Sequence, residues 1–135
     1  MSSPSSARRW FSERTVLAIH EAQVAEHGGA KGIRDAKLLA SALARPRNAA
    51  AYSRATVPEL AVLYALGIIR NHPFLDGNKR TATVLLETFL NVHGYELRAS
   101  DGELLDTIRQ LAAGAMSERT FKGWVKLHSR RKSRA

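Results

Sequence analysis

The sequence predicts an all-α domain, a compact bundle of six helices. Apolar residues recur at helical spacing in successive windows, capping residues precede most windows, and only 95–99 shows the alternation of a short strand. The chain has 135 residues, of which 44% are hydrophobic and 24% charged, so it can bury a core and is not a wholly disordered protein. We expect the domain to span residues 10–128, with a flexible tail at 1–9 and a basic flexible tail at 129–135.

The first two helices are predicted from their N-caps. Ser12 and Asp35 have side chains that can accept a hydrogen bond from an amide of the first helical turn. The first helix is predicted over 13–26, and a glycine-rich loop ends it. The second helix is expected to end near Arg45, because Pro46 follows and disfavours a helical conformation in the residue before it. The residues between Pro46 and the third helix are therefore expected to be irregular.

The other four helices have their own start signals and apolar faces. Capping boxes, in which a hydroxyl and a glutamate three residues later satisfy each other's amides, precede the third and fifth helices. The fourth helix is predicted to begin at Asn78 or Lys79, with Gly94 after its end. The capping residues of the other three are Thr56 with Glu59, Ser100 with Glu103, and Ser117 for the sixth helix.

The charge balance is basic, but much of the excess lies at the ends of the chain. Lysine and arginine number 21 against 12 aspartates and glutamates, a net charge of +9. A charged terminal run is usually solvated, and no basic face with interleaved aromatic residues supports nucleic acid as a direct partner. The six terminal cations are Arg8, Arg9, Arg130, Arg131, Lys132 and Arg134.

Two absences narrow the function classes further. The chain has no cysteine, which excludes a disulfide framework, a thiolate metal site and a cysteine nucleophile. No apolar run approaches the roughly 20 residues that a membrane-spanning helix needs, so no membrane partner is expected.

The segment 72–80, His-Pro-Phe-Leu-Asp-Gly-Asn-Lys-Arg, joins the third and fourth helices and carries the strongest functional signal. Pro73 ends the third helix, and Gly77 permits a tight turn or a close approach to a ligand. The unpaired amides at the start of the fourth helix, together with Lys79 and Arg80, form a predicted anion site.

Two further residues of this segment suit phosphoryl chemistry. Asp76 precedes the anion site, and a carboxylate beside phosphates is a typical Mg²⁺ ligand. His72 lies across the same short loop and could accept a proton. Each residue alone has an ordinary structural explanation: a helix-ending histidine, an Asp-Gly turn, a solvated helix start. Their joint occurrence within one short loop favours phosphoryl-type transfer, and Phe74 is expected to anchor the loop in the core.

The same segment resembles the Fic/Doc signature His-x-Phe-x-Asp/Glu-Gly-Asn-x-Arg. Lys79 occupies the variable position, where Fic enzymes usually have glycine, and in so short a chain this is similar to the death-on-curing (Doc) branch. Short stretches around Ile19, Gly28 to Asp35, Leu43 and Asn91 also resemble Doc-type chains, so the resemblance covers roughly residues 10–128. All six specified positions match: His72, Phe74, Asp76, Gly77, Asn78 and Arg80.

The resemblance implies a six-helix Fic/Doc fold and a toxin of a type II toxin–antitoxin pair in the bacterial cytoplasm. It also implies transfer of the ATP γ-phosphate to a threonine of elongation factor Tu, which arrests translation. By position, His72 would be the general base and Asp76 would hold Mg²⁺. The residues expected at the nucleotide phosphates are Gly77, Asn78, Lys79, Arg80 and, as a further candidate, Arg70.

The resemblance also implies control by a partner. Many Fic proteins carry an internal inhibitory helix with Ser/Thr-x-x-x-Glu-Gly/Asn, and no glutamate of this chain is followed by glycine or asparagine. We therefore expect an antitoxin segment that folds as a helix in a groove of the toxin.

Two other functions stay open at this stage. One is an enzyme of the same fold that transfers AMP to a protein hydroxyl, and the other is a non-enzymatic basic module that uses the loop only as an anion site. We hypothesise that Lys79 favours phosphate transfer over AMP transfer, because its side chain and charge would shift the seat of the triphosphate.

Overall fold

Side-chain caps set the beginnings of five of the six helices in the described chain. The structure is a computed structural model that describes residues 8–133. Its helices are α1 (Glu13–His27), α2 (Ala36–Tyr52), α3 (Val57–Asn71), α4 (Asn78–Val92), α5 (Asp101–Ala112) and α6 (Glu118–His128). The predicted caps Ser12, Asp35, Thr56, Ser100 and Ser117 each accept a hydrogen bond from the amide three residues later. These caps and the six-helix, all-α fold are confirmed.

Helix α3 lies at the centre of the bundle, packed between α2, α4 and α6. Its residues are buried on nearly all sides, as expected for a helix that is apolar all round. Tyr64 of α3 and Phe89 of α4 are fully buried, and Phe11 packs against both rings. The Tyr64 hydroxyl accepts a hydrogen bond from the Phe11 amide at 3.0 Å, which joins the start of the described chain to the core.

Helix α2 continues through Pro46 to Tyr52, so the predicted end near Arg45 and the irregular segment after it are wrong. Pro46 cannot donate to the carbonyl of Ala42, which costs one helical hydrogen bond. Pro46 and Ala42 are nevertheless both buried on the face of α2 that packs against α3. Burial of this apolar face offsets the lost hydrogen bond. The rule that a helix ends before proline considers only neighbouring residues, so it does not include this stabilisation by α3.

The end of the domain carries a strand that the sequence did not predict. Strand β1 (Tyr95–Leu97) pairs antiparallel with β2 (Ser129–Arg131). The strand expected within 95–99 is therefore confirmed, whereas the flexible tail predicted at 129–135 is wrong for residues 129–131. The Lys132 amide also donates to the carbonyl of Gly94 at 2.9 Å. The backbone of β1 offers hydrogen-bonding partners to residues 129–131. The charge composition of this segment gives no sign of that pairing.

The terminal segments limit what the structure says about the predicted tails. Of the tail expected at 1–9, only Arg8 and Arg9 are described, and the Arg9 amide donates to Nε2 of His93 at 2.9 Å. Residues 1–7 and 134–135 lie outside the described residues. Over residues 8–133, no helix has the length and apolar character needed to cross a membrane.

The contact between Gly67 and Ala42 tests the packing of α2 on α3. A Cβ added at Gly67 would lie 3.0 Å from both the Cβ and the carbonyl oxygen of Ala42. We expect Gly67→Ala to lower the free energy of unfolding by about 1–3 kcal/mol, because the two packed helices must separate. Urea denaturation followed by circular dichroism measures this change.

The matched control is Gly123→Ala on α6, where an added Cβ meets nothing within 4 Å. Alanine is the better helix former, so this variant should be neutral or more stable by up to about 1 kcal/mol. Equal effects of the two substitutions would contradict the close approach of α2 to α3.

Candidate active site

The loop between α3 and α4 is held by the loop between α1 and α2. The two segments, residues 28–35 and 72–77, run antiparallel and form a bridge between Ile33 and Phe74. The Leu75 amide donates to the carbonyl of Gly32 at 3.1 Å. The amides of Arg34 and Asp35 both donate to the carbonyl of Pro73, at 2.6 and 3.0 Å. We call these segments the bracing loop (28–35) and the motif loop (72–77).

Phe74 anchors the motif loop, as predicted. Its side chain is fully buried and stacks on the imidazole of His20 from α1, with ring centroids 3.8 Å apart. His20 is itself buried, and its Nε2 lies 2.7 Å from the carbonyl oxygen of Asp76. His20 was not predicted as a site residue, although a histidine on the apolar face of α1 is the signal that could have found it.

The side chain of Asn78 has a structural role that the sequence did not indicate. Its Oδ1 accepts from the Phe74 amide at 3.1 Å, and its Nδ2 donates to the Phe74 carbonyl at 3.0 Å. The side chain is buried within the turn that it closes. What Asn78 offers to a ligand is therefore its backbone amide at the start of α4.

A cavity of about 380 Å³ opens beside the motif loop. Its size falls within the range of small-molecule sites in proteins. A neighbouring cavity of about 370 Å³ shares Gln23, His27, Arg80 and Leu105 with it, so the two adjoin. Of the predicted site residues, those that line the first cavity are His72, Asp76, Gly77, Asn78, Lys79 and Arg80.

The start of α4 gives the cavity groups that favour an anion. Among the six helices of residues 8–133, α4 alone has no side-chain cap: its N-cap is Gly77, in the left-handed conformation. The first bond of α4 runs from the Thr81 amide to the Gly77 carbonyl at 3.0 Å, so the amides of residues 78–80 precede the helical ladder. These amides and the helix dipole favour negative charge at this end of the helix.

Side-chain charges reinforce the helix end. Lys79 and Arg80 line the cavity from α4, and Arg109 lines it from α5. Arg80 Nη1 lies 3.4 Å from Nε2 of His27, another lining residue. Sequence reasoning missed Arg109, because it lies 29 positions after Arg80 and no local motif surrounds it. Against these three cations, Asp76 is the carboxylate that lines the cavity.

Arg70, by contrast, is not brought to this cavity. Its Nε donates to Oε2 of Glu118 on α6 at 2.8 Å. Position 70 is in the last turn of α3, on the side that packs against α6, whereas His72 lies beyond the helix end. The structure therefore does not support the prediction of Arg70 as a phosphate ligand.

The carboxylate of Asp76 is oriented by backbone amides. Its Oδ1 accepts from the Gly77 amide at 2.9 Å, and its Oδ2 accepts from the Ala30 amide at 3.3 Å. Gly29 lies so close that an added Cβ would be 2.8 Å from Oδ2. The carboxylate faces the cavity with further acceptor sites on both oxygens, which fits a divalent cation. Over residues 8–133, no cluster of three or more acidic, histidine or cysteine side chains could hold a metal alone, so such a cation would need further ligands from substrate and water.

Comparison with known proteins agrees with the residues of the site. A model described as the Fic/DOC family matches residues 10–90, which include α1 to α3, most of α4 and both loops. The chain belongs to the Fic/DOC family. It is 42% identical to Toxin Doc of Mycolicibacterium smegmatis over 76 residues, 53% of the chain and 57% of that toxin. It is 31% identical to Protein kinase doc of Escherichia phage P1 over 110 residues, 81% of the chain and 86% of that protein. The predicted resemblance to Doc-type toxins is confirmed.

The adjoining cavity contains a carboxyl group with a shifted pKa. Burial, together with the charge of Asp101 and its side-chain hydrogen bond, raises the pKa of Glu87 to about 7. Glu87 comes from α4 and Asp101 from the first turn of α5, so the pair joins the two helices behind Arg80.

The raised pKa of Glu87 predicts how stability depends on pH. The folded state binds this proton more tightly than the unfolded state, so the stabilisation is complete below the ordinary pKa of 4.5 and is lost as pH rises through about 7. Glutamine stays neutral, so at about pH 8 the Glu87→Gln protein should have a higher free energy of unfolding than the wild type. Because the carboxyl is half exposed and solvent screens it, we expect a difference on the order of 1 kcal/mol. Urea unfolding of both proteins at acidic and alkaline pH measures the difference, with Glu21→Gln on the exposed face of α1 as the control. A Glu87→Gln difference that does not grow with pH would refute this account.

Proposed function

We propose that this protein is a Doc-type toxin that acts as a protein kinase. It transfers the γ-phosphoryl group of ATP to a protein hydroxyl, and we propose a threonine of elongation factor Tu as the target. The observation that carries the proposal is His72 at a cavity where Lys79, Arg80 and the open start of α4 converge. The similarity to Protein kinase doc, which spans most of both chains, supports transfer of phosphate.

His72 is proposed as the general base. Its side chain is exposed at the cavity, so the hydroxyl of a large protein substrate can reach it. His72 would accept the hydroxyl proton as the hydroxyl oxygen bonds to the γ-phosphorus and the bond to the β–γ bridging oxygen breaks, which releases ADP. The imidazole must hold its place relative to the phosphates, because phosphoryl transfer depends mainly on positioning and charge.

The other lining residues are proposed to bind ATP. The amides of residues 78–80, Lys79, Arg80 and Arg109 would neutralise the phosphate oxygens from two helices. Asp76 would hold Mg²⁺ together with those phosphates, and the cation would supply further charge neutralisation. Lys79 is exposed where the triphosphate would lie, in keeping with our hypothesis that it sets which phosphorus faces His72.

A separate antitoxin is proposed to restrain the enzyme in the bacterial cytoplasm. An inhibitory helix could place acidic residues near Lys79, Arg80 and Arg109, since charge complementarity favours such a partner. Ile33 and Leu75 belong to the paired loops beside the cavity and are large exposed apolar side chains, which would contact the apolar face of that helix.

Replacement of His72 tests the proposed reaction. The wild-type protein, incubated with elongation factor Tu and ATP, should add the mass of one phosphate to the target. His72→Ala should slow this transfer by on the order of 100- to 10,000-fold, because the hydroxyl loses its base, while ATP binding stays nearly unchanged. Intact-mass spectrometry measures the product, and calorimetry measures binding.

Each product has a definite meaning. Addition of AMP by the wild type would replace the kinase assignment with adenylyl transfer, and an unmodified target would refute elongation factor Tu as the substrate. Rapid transfer by the His72→Ala protein would refute the role of His72 as the general base.

The proposed role of Asp76 is tested without altering the carboxylate. Gly29→Ala would place a Cβ 2.8 Å from Oδ2 and displace the group, so Mg²⁺-dependent ATP affinity should fall roughly 10- to 100-fold. Gly28→Ala is the control, because Gly28 also has a positive φ but an added Cβ there meets nothing within 4 Å. Titration calorimetry with and without Mg²⁺ measures both variants. Equal affinities of these two variants, or wild-type binding that ignores Mg²⁺, would count against a metal at Asp76.

A further inference from the structure

The backbone of His72 is strained. Its φ is 49° and its ψ 55°, in the left-handed region. Over residues 8–133, it is the only non-glycine residue with a positive φ. Only a few per cent of residues other than glycine adopt a positive φ, histidine among the more frequent, and the conformation costs free energy that surrounding contacts must offset. The contacts of the motif loop should therefore show what holds His72 in place.

Arg34 of the bracing loop supplies those contacts. Its Nε donates to the carbonyl of His72 at 2.7 Å, and its Nη2 donates to the carbonyl of Asn71 at 2.9 Å. Its backbone amide donates to the carbonyl of Pro73 at 2.6 Å. One residue thus binds three successive carbonyl oxygens, and the strained residue is the middle one of the three.

The chemistry of the guanidinium suits this task. Its N–H donors lie in one plane at fixed angles, so two of them can bind two neighbouring carbonyl oxygens at once. Bonds from a charged donor are stronger than those between neutral groups. A lysine ammonium in the same place has the charge but not the planar fork, and glutamine has a planar amide without the charge.

We propose that Arg34 is a positioning residue for His72. Its guanidinium holds the left-handed backbone that presents the His72 imidazole to the cavity. This role rests on the proposed function of His72 as the base. Arg34 does not line the cavity, so it acts on the base and not on the phosphates.

The two halves of the site have separate supports, which makes the role testable. The start of α4 is braced by the bonds of Asn78 to Phe74 and by the contact of His20 with Asp76. None of these bonds involves Arg34. Loss of the Arg34 guanidinium should therefore disturb His72 and leave the phosphate-binding groups in place.

The variants Arg34→Gln and Arg34→Lys separate the planar fork from the charge. We expect both to lower kcat by roughly 10- to 100-fold, because a displacement of about 1 Å at the base has effects of this size. The KM for ATP and the calorimetric ATP affinity should stay within roughly twofold of the wild type, since the ground-state contacts of the nucleotide are kept. The control is Arg14→Gln, at an exposed position of α1, which should change neither quantity.

A spectroscopic measurement tests the inference independently of activity. A positive φ brings the amide and α protons of one residue close together, so wild-type His72 should give a strong intraresidue cross-peak. This cross-peak should weaken in both Arg34 variants. Circular dichroism identifies any variant that does not fold. If one Arg34 variant fails to fold, the measurements on the other variant test the inference.

The outcomes distinguish the inference from the proposed function. If the wild-type protein modifies no target but the Arg34 variants lose the His72 cross-peak, the proposed kinase activity is refuted. The inference that Arg34 fixes the backbone of His72 is then still supported. An unchanged kcat, an unchanged cross-peak, or a loss of ATP affinity as large as the loss of kcat would overturn the positioning role.

Discussion

The pairing of the bracing loop with the motif loop is the interaction on which the site depends. Neither loop belongs to a helix, so their backbone polar groups need partners outside the helical ladders. Each loop supplies them to the other: the carbonyl of Gly32 accepts from Leu75, and the carbonyl of Pro73 accepts from Arg34 and Asp35. The same pairing places Asp76 beside the Ala30 amide and sets His72 at the cavity. The proposed base and metal ligand are thus held by chain that lies about 40 positions earlier in the sequence.

Within this frame, residues of the signature have different physical tasks. Phe74 and Asn78 are buried and close the turn, and their bonds leave the start of α4 in a defined position. Gly77 provides the left-handed turn without a capping side chain, so the first amides of α4 stay open toward an anion. His72, Asp76 and Arg80 of the signature line the cavity, as does Lys79 at its variable position. The signature therefore combines residues that hold the turn with residues that we propose to carry the chemistry.

Two features could not be predicted from local sequence, because each depends on compensation from distant chain. The proline rule ends α2 near Arg45, but burial of α2 against α3 outweighs one lost bond at Pro46. Residues 129–131 look like a solvated basic run, but their backbone pairs with the open edge of β1. Helix propensity and charge describe a segment by itself. The length of α2 and the pairing of residues 129–131 depend on the elements that pack against those segments.

The sequence by itself determined the six helices, five of their caps, the apolar anchor at Phe74 and the identity of the motif loop. Those features depend on side chains and amides within a few residues of one another, so local patterns carry them. Only the tertiary structure decided which cations share the cavity: it brought Arg109 in from α5 and paired Arg70 with Glu118 on α6. It also decided that the Asn78 side chain serves the loop and that Arg34 binds the backbone of His72. These roles follow from the packing of separate helices and loops, which brings together groups that no spacing along the chain connects.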